Sequence, residues 1–265
     1  VYTSFQLAFK YLKYYFTASN SKGHGTHSPF VFEFITKVLN DKNSYPAYEL
    51  VENLRKGLLA DQTAIEVEDF GAGSGIDRSN KRKIASIAKN AAKPQKYGQL
   101  LYRMVKHYKS SVILELGTSL GITTSYLSLA NPAAKVITME GSASIASIAK
   151  QNFKTLKLGN TALIEGNFDE TLMPLLNSIS SIDLVFLDGN HRLQPTLNYF
   201  NQVLPKINND TIVILDDIHW SAEMEEAWKQ CREHESVTLS IDLFFIGILI
   251  FRKEIKEKQH FLIRF

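Results

Sequence analysis

Cysteine is almost missing from this chain: its 265 residues contain one, Cys231. That excludes an internal disulfide framework and any cysteine-based zinc cluster. Long apolar runs are also missing. The longest, Leu243 to Phe251, falls far short of the ~20 residues that span a bilayer. The first residues, Val1-Tyr2-Thr3-Ser4-Phe5, lack the basic region, apolar core and small-residue cleavage site of a secretory signal, so a cytoplasmic location is expected. No internal repeat or low-complexity linker is present. With 45% hydrophobic and 22% charged residues, the composition is that of an ordinary globular protein rather than a disordered one.

A strong excess of either charge is lacking overall, since the net charge is only +3. The two signs are unevenly spread. Residues 1–110 carry 17 basic and 9 acidic side chains, net +8, and residues 111–265 carry 13 and 18, net −5. A basic first part joined to an acidic second part suggests two regions with different tasks.

From residue 111 onward, strand-length apolar runs alternate with helix-length segments. The runs are Val112–Leu116, Lys135–Met139, Ala162–Ile164, Ile182–Leu187 and Thr211–Leu215. This repetition predicts βαβ units and an α/β, doubly wound, mostly parallel sheet with helices on both faces. Val237–Ile241 and Phe244–Phe251 follow with only a short turn between them. They predict an antiparallel hairpin closing a seven-stranded sheet. The first part reads as mainly helical. Phe5, Phe9, Leu12 and Phe16 follow an i, i+4, i+7, i+11 spacing, and helices are expected at Phe30–Leu39, Tyr48–Leu59, Lys81–Ala92 and Tyr97–Tyr108, with a short strand at Ala64–Phe70.

Two glycine-rich segments compete as ligand loops. Gly71-Ala72-Gly73-Ser74-Gly75 lacks both the dinucleotide spacing and the Lys-Ser/Thr of a P-loop, and reads as a flexible turn. Glu115-Leu116-Gly117-Thr118-Ser119-Leu120-Gly121 ends the first strand of the βαβ series and opens a helix. Its glycines allow a tight turn and close approach to a ligand. The next strand ends in Glu140, 23 residues after Gly117, where a carboxylate accepts hydrogen bonds from ribose hydroxyls. The pair points to a nucleoside cofactor.

The pattern Glu115-x-Gly117-x-x-x-Gly121, with Glu140 on the next strand and a closing hairpin, resembles the class I S-adenosyl-L-methionine-dependent methyltransferases. The likeness covers roughly residues 95–251. Gly98-Gln99-Leu100-Leu101 is similar to the catechol-type O-methyltransferase branch. The resemblance implies a Rossmann-like fold over residues 95–265, with residues 1–94 as a mainly helical extension or cap. It further implies cofactor contacts from Glu115, Gly117, Thr118, Ser119, Gly121, Glu140, Gly141, Ser142, Gly166, Asn167 and Asp188. Asn167 stands where Asp is common, and its amide oxygen can still accept from the adenine amino group.

The fourth and fifth strands end Asp188-Gly189-Asn190-His191 and Asp216-Asp217-Ile218-His219. In a parallel sheet both ends open on one edge, where ligands bind. Crowded carboxylates raise each other's pKa, and a divalent cation relieves the repulsion. All-oxygen ligation by Asp188, Asp216 and Asp217 suits Mg²⁺, Ca²⁺ or Mn²⁺. The resemblance to metal-dependent O-methyltransferases supports this and places the catalytic base three residues after the first aspartate, at His191, with Asp188 sharing the catalytic role. His219 matches no position of that family and reads as a loop residue.

Other chemistries lack their residues. Asp188-Gly189-Asn190-His191 is not the tetrad of adenine amino-methyltransferases, Cys231 is misplaced for a cytosine enzyme, and no Gly-x-Ser-x-Gly elbow occurs. The resemblance implies a small hydroxylated acceptor, with nucleic acid and membrane not expected as partners. An RNA methyltransferase using the basic first part, or a non-catalytic cofactor-binding assembly protein, are the rival readings. His24 and His27 lie three apart in a loop without a third metal ligand. The Phe5, Phe9, Leu12, Phe16 face is most simply a packing face, then a homodimer contact. A membrane-surface helix needs a more basic polar face than Lys10 and Lys13 supply. The run Arg78, Lys81, Arg82, Lys83, Lys89, Lys93, Lys96 reads as a solvated helix face.

Overall fold

The computed structural model describes residues 1–19, 21, 28–68, 80–91 and 93–265. The segments holding His24 and His27, Gly71 to Gly75, and Arg78 lie outside the described residues. In chain order the elements are α1 (Ser4–Thr17), α2 (Pro29–Glu33) running into a π-helical turn (Phe34–Leu39), α3 (Pro46–Ala60), β1 (Ala64–Glu66), β2 (Lys81–Lys83), α4 (Ile84–Ala91) and α5 (Gln95–Tyr108). Then follow β3 (Val112–Leu116), α6 (Ile122–Ala130), β4 (Lys135–Glu140), α7 (Ala143–Thr155), β5 (Thr161–Glu165), α8 (Phe168–Asn177), β6 (Ile182–Leu187) and α9 (Leu193–Val203). The chain continues through β7 (Ile207–Asp216), α10 (Ala222–Glu233), β8 (Leu239–Asp242), β9 (Ile246–Ile250) and β10 (Gln259–Leu262). Strands β3 to β5 pair with one another, as do strands β6 to β10. Among the described residues no helix is long and apolar enough to cross a membrane.

The chain divides into two compact units, Lys42–Leu175 and Val1–Asp41 with Leu176–Phe265. In the first, β3, β4 and β5 run parallel, with Leu116 opposite Met139 and Glu140 opposite Glu165. The middles of β3 and β4 are buried, as continuous apolar runs require when both faces are covered. Helix α5 packs closely on α6. A Cβ at Gly98 would lie 2.5 Å from the Tyr126 ring, so the glycine that supported the family resemblance is needed here for helix packing. The expected helix from Lys81 begins instead as a strand. Lys81–Lys83 pairs antiparallel with β1, setting Lys81 opposite Glu66. Opposite charges across a strand pair and the offered ladder override the helical preference of this basic run.

In the second unit β6 runs parallel to β7, with Leu187 opposite Leu215. The expected hairpin is present, β8 and β9 being antiparallel, with β9 also antiparallel to β7. An eighth strand, β10, adds parallel to β8. Its four residues, Gln-His-Phe-Leu, form no apolar run, and only the available edge of β8 makes them a strand.

Helix α1 forms as expected, opened by Thr3 in a reciprocal capping pair with Gln6. Its orientation corrects the packing-face expectation. Phe5, Phe9, Leu12 and Phe16 are 83%, 65%, 53% and 74% exposed. The face that packs is the opposite one, where Tyr14 and Ala18 meet Phe244, with Tyr11 and Leu262 alongside. The Tyr14 hydroxyl donates to the carbonyl of Ile263 and accepts from the Phe265 amide at 3.1 Å. Truncation should therefore separate the two faces. Tyr14→Ala is expected to cost about 3 kcal/mol of unfolding free energy, and Phe9→Ser to stay within about 0.5 kcal/mol of the parent, both measured by urea unfolding.

Candidate functional site

The unit Lys42–Leu175 gathers the glycine loop and the ends of β3, β4 and β5. Gly117 has φ 104° and Gly121 φ 79°, a region that disfavours other residues. A Cβ on Gly121 would also lie 2.5 Å from the Phe153 ring. The loop's own amides are used internally. Gly117 and Thr118 both donate to the Met139 carbonyl at 3.0 Å, and Gly121 donates to Thr118 at 2.9 Å. The loop is thus held rigidly against β4.

Glu115 is the buried anchor of this arrangement. The hydroxyls of Thr124 and Thr138 donate to its Oε2 at 2.5 and 2.6 Å. Since Thr138 spends its one proton there, the 2.5 Å contact between Thr118 and Thr138 has Thr118 as donor. A line of hydroxyls from loop to strand ends on this carboxyl. Burial pushes the Glu115 pKa up to about 7; the two threonine bonds oppose the shift and the charge of Glu140 adds to it.

Glu140 differs. It is half-buried, and its two oxygens accept from the amides of Ser119 at 2.8 Å and Ser142 at 3.0 Å. A carboxylate offers about four lone-pair directions, the kind of acceptor a diol requires. Asn167 uses its amide oxygen to accept from the Asp169 amide at 3.1 Å, which orients it at the start of α8. The predicted cofactor residues of this unit therefore fall into two groups. Gly117, Ser119, Glu140, Gly141, Gly166 and Asn167 are partly open, and Glu115, Thr118, Gly121 and Ser142 are buried supports. Alternation along the loop places 117 and 119 outward and 118 and 120 inward. The chemistry of the open group fits a nucleoside cofactor.

The unit Val1–Asp41 with Leu176–Phe265 holds the acidic cluster. Ligand atoms of Asp188, His191 and Asp216 all lie within 4.8 Å of one another. His191 Nε2 is 3.5 Å from Asp188 Oδ1, and its ring meets Trp220 edge-on at 5.7 Å. Asp216 is fully buried, whereas Asp188 and His191 are partly open. Ligands about 2.0–2.6 Å from a hard cation stand ~3–5 Å from each other, so the group fits a divalent ion. Asp217 is outside it. Its backbone turns into the left-handed region (φ 51°) and its amide donates to the Phe245 carbonyl at 2.7 Å.

Sequence reasoning missed the role of His219. Its Nδ1 pairs with Glu225 at 3.0 Å and its Nε2 with Asp242 at 2.8 Å, while the ring stacks on Phe244 at 5.1 Å. Glu225 also takes Tyr2 at 2.7 Å and Lys10 at 2.9 Å from α1. Burial alone would lower the His219 pKa, but the bonds and charges of Asp242 and Glu225 outweigh it and raise it. The residue holds Glu225, which in turn bonds Lys10 of α1, and no local motif announces it.

Glu115 makes stability depend on pH with a definite sign. Its folded pKa is above the unfolded value, so its contribution is complete below about pH 4.5 and is lost as pH rises through about 7. That shift corresponds to on the order of 3 kcal/mol. Urea unfolding at pH 5 and pH 8 should show a smaller fall for Glu115→Gln than for the parent chain.

Residues 114–218 match the family model described as a methyltransferase domain. A stretch of 65 residues, 23% of this chain, is 32% identical to the uncharacterised protein R132 of Acanthamoeba polyphaga mimivirus, spanning 29% of that relative. The SAH-bound methyltransferase PaMTH1 of Podospora anserina is similar in structure, with TM-score 0.60 and 15% identity over 81% of this chain and 91% of that one. An O-methyltransferase from Bacillus cereus in complex with SAH gives TM-score 0.56 and 18% identity over 82% of this chain and 96% of that one. The fold is the Rossmann-like fold of class I S-adenosylmethionine-dependent methyltransferases.

Proposed function

We propose that this chain, which carries a methyltransferase domain on the class I fold, is an S-adenosyl-L-methionine-dependent O-methyltransferase that acts on a small hydroxylated molecule with help from a divalent cation. The observation that carries the acceptor chemistry is the convergence of Asp188, His191 and Asp216 within 4.8 Å. The part in the cofactor's recognition falls to Glu140 for the ribose, Gly117 and Ser119 for the open side of the loop, and Gly166 with Asn167 at the next strand end. Glu115 and Thr118 act behind them by holding the loop in shape.

S-adenosylmethionine supplies, when bound, a methyl group already made electrophilic by its sulfonium. The chain's own task is then to align a hydroxyl and remove its proton. Asp188 and Asp216 would hold the cation, and Mg²⁺ or Mn²⁺ suits such oxygen donors; a bound dication makes a hydroxyl easier to deprotonate. The His191 imidazole is placed to accept that proton, oriented by the Asp188 carboxylate 3.5 Å away. Positioning contributes much of the remaining rate. The partly open exposure of Asp188 and His191 supports their use by an acceptor, and the buried Asp216 suits a fixed ligand.

Calorimetry with S-adenosylmethionine should give binding that Glu140→Ala weakens at least tenfold, the loss expected when a charged acceptor of two hydrogen bonds is removed. Absence of binding to the parent chain sinks the reading. Asp216→Asn should weaken Mn²⁺ binding and methyl transfer to catechols together. His191→Ala should retain Mn²⁺ binding and lose transfer by about 10²-fold or more; loss of the ion instead would make His191 a ligand and not the base.

A further inference from the structure

Helix α1 is apolar on two opposite faces, and the described residues cover only one of them. Leu7, Tyr11, Tyr14 and Ala18 repeat the spacing of Phe5, Phe9, Leu12 and Phe16, two residues out of step. Two residues are about 200° around a helix, so the stripes lie back to back. The inner one is packed on Phe244 and Leu262. It is also pinned by Lys10 and Tyr2 on Glu225. The outer one is at least half exposed along its whole length. A helix apolar on all sides is normally covered on all sides, and contiguous exposed aromatic surface of this kind marks an interaction site.

The charge around the stripe identifies what covers it. Residues 1–32 contain no aspartate or glutamate. Lys13 is exposed on one side of the stripe. On the other, the Arg264 guanidinium lies 4.1 Å over the ring of Tyr15. An apolar stripe with a cationic rim is complementary to a layer of anionic headgroups above acyl chains. A second copy of the chain fits less well. It would bring two cationic rims together. The stripe also offers only about 500 Å² per copy, at roughly 150–200 Å² for each large aromatic, against about 800 Å² per partner in a standard interface.

We propose that the Phe5, Phe9, Leu12, Phe16 face of α1 seats in the interfacial layer of a bilayer containing anionic lipid, with Lys13 and Arg264 at headgroup level. This departs from the expectation that no membrane is involved. That expectation asked the rest of the helix to be a basic, solvated face. Here the rest of the helix is packed on protein, so it needs no solvating charge of its own. The surface goes beyond the methyl-transfer reading and does not depend on it.

The test is flotation of the full chain with phosphatidylcholine vesicles, with and without added phosphatidylglycerol. The parent chain should float with the anionic vesicles at least tenfold more than with the neutral ones. Phe5→Ser with Phe9→Ser should lose more than tenfold of that binding while keeping the parent urea midpoint, because both residues are exposed. Lys13→Gln with Arg264→Gln should lower binding to anionic vesicles and leave the weak neutral binding unchanged. The proposal is overturned if the parent chain ignores both vesicle types, or if the Phe5/Phe9 variant floats like the parent. It is equally overturned if light scattering finds a dimer that this variant dissociates while vesicles leave the parent unbound, since the face then belongs to a second copy.

Discussion

Strands β6 and β7 are hydrogen-bonded in parallel with Leu187 opposite Leu215. That register sets the next residues, Asp188 and Asp216, beside each other as the strands end. The pairing thus brings two carboxylates 28 residues apart in sequence to one spot. The same constraint operates in the other unit, where Leu116 faces Met139 and Glu140 faces Glu165. Within each unit the loops after these strands leave from one edge because parallel pairing gives them no alternative. Each functional cluster is therefore a consequence of register, and a slip of one residue would turn the carboxylates to the other face.

Two carboxyl groups in the glycine-loop region show how environment divides labour between identical chemistries. Glu115 is wholly buried, ends a line of threonine hydroxyls, and has its pKa pushed up to about 7. Glu140 is partly open and fixed by two backbone amides. The first stabilises a loop shape, and the second presents acceptors at a set position. In the other unit, Glu225 and Asp242 hold His219 between them, and Glu225 extends the network to Lys10 and Tyr2. A loop histidine thereby becomes the fastening of the first helix.

Much of this was legible in advance because it is local. Continuous apolar runs bounded by turn residues mark buried parallel strands. Glycines after β3 mark a turn that needs positive φ. An aspartate directly after a strand marks a side chain delivered to the sheet edge. The less legible parts depended on partners distant in sequence. Lys81–Lys83 became a strand because β1 lay beside it. Gln259–Leu262 became one because β8 had a free edge. Thr118, next to the partly open Gly117, turned inward because Thr138 was waiting on the next strand.

Helix α1 draws the line most clearly. Its sequence determined a helix with two apolar stripes of identical spacing, and periodicity treats them alike. Only tertiary structure decided that Tyr14 and Ala18 face the protein and Phe5 and Phe16 face outward, because Phe244 supplies a matching surface and Glu225 binds Lys10 and Tyr2 on that side alone. The strand ends divide in the same way. Sequence placed Asp188, Asp216, Asp217 and His191 at the ends of two strands, and the fold kept three of them together. Asp217 was turned aside by its left-handed backbone and its bond to Phe245. Chemistry along the chain specifies which groups are available, and long-range packing selects which of them meet.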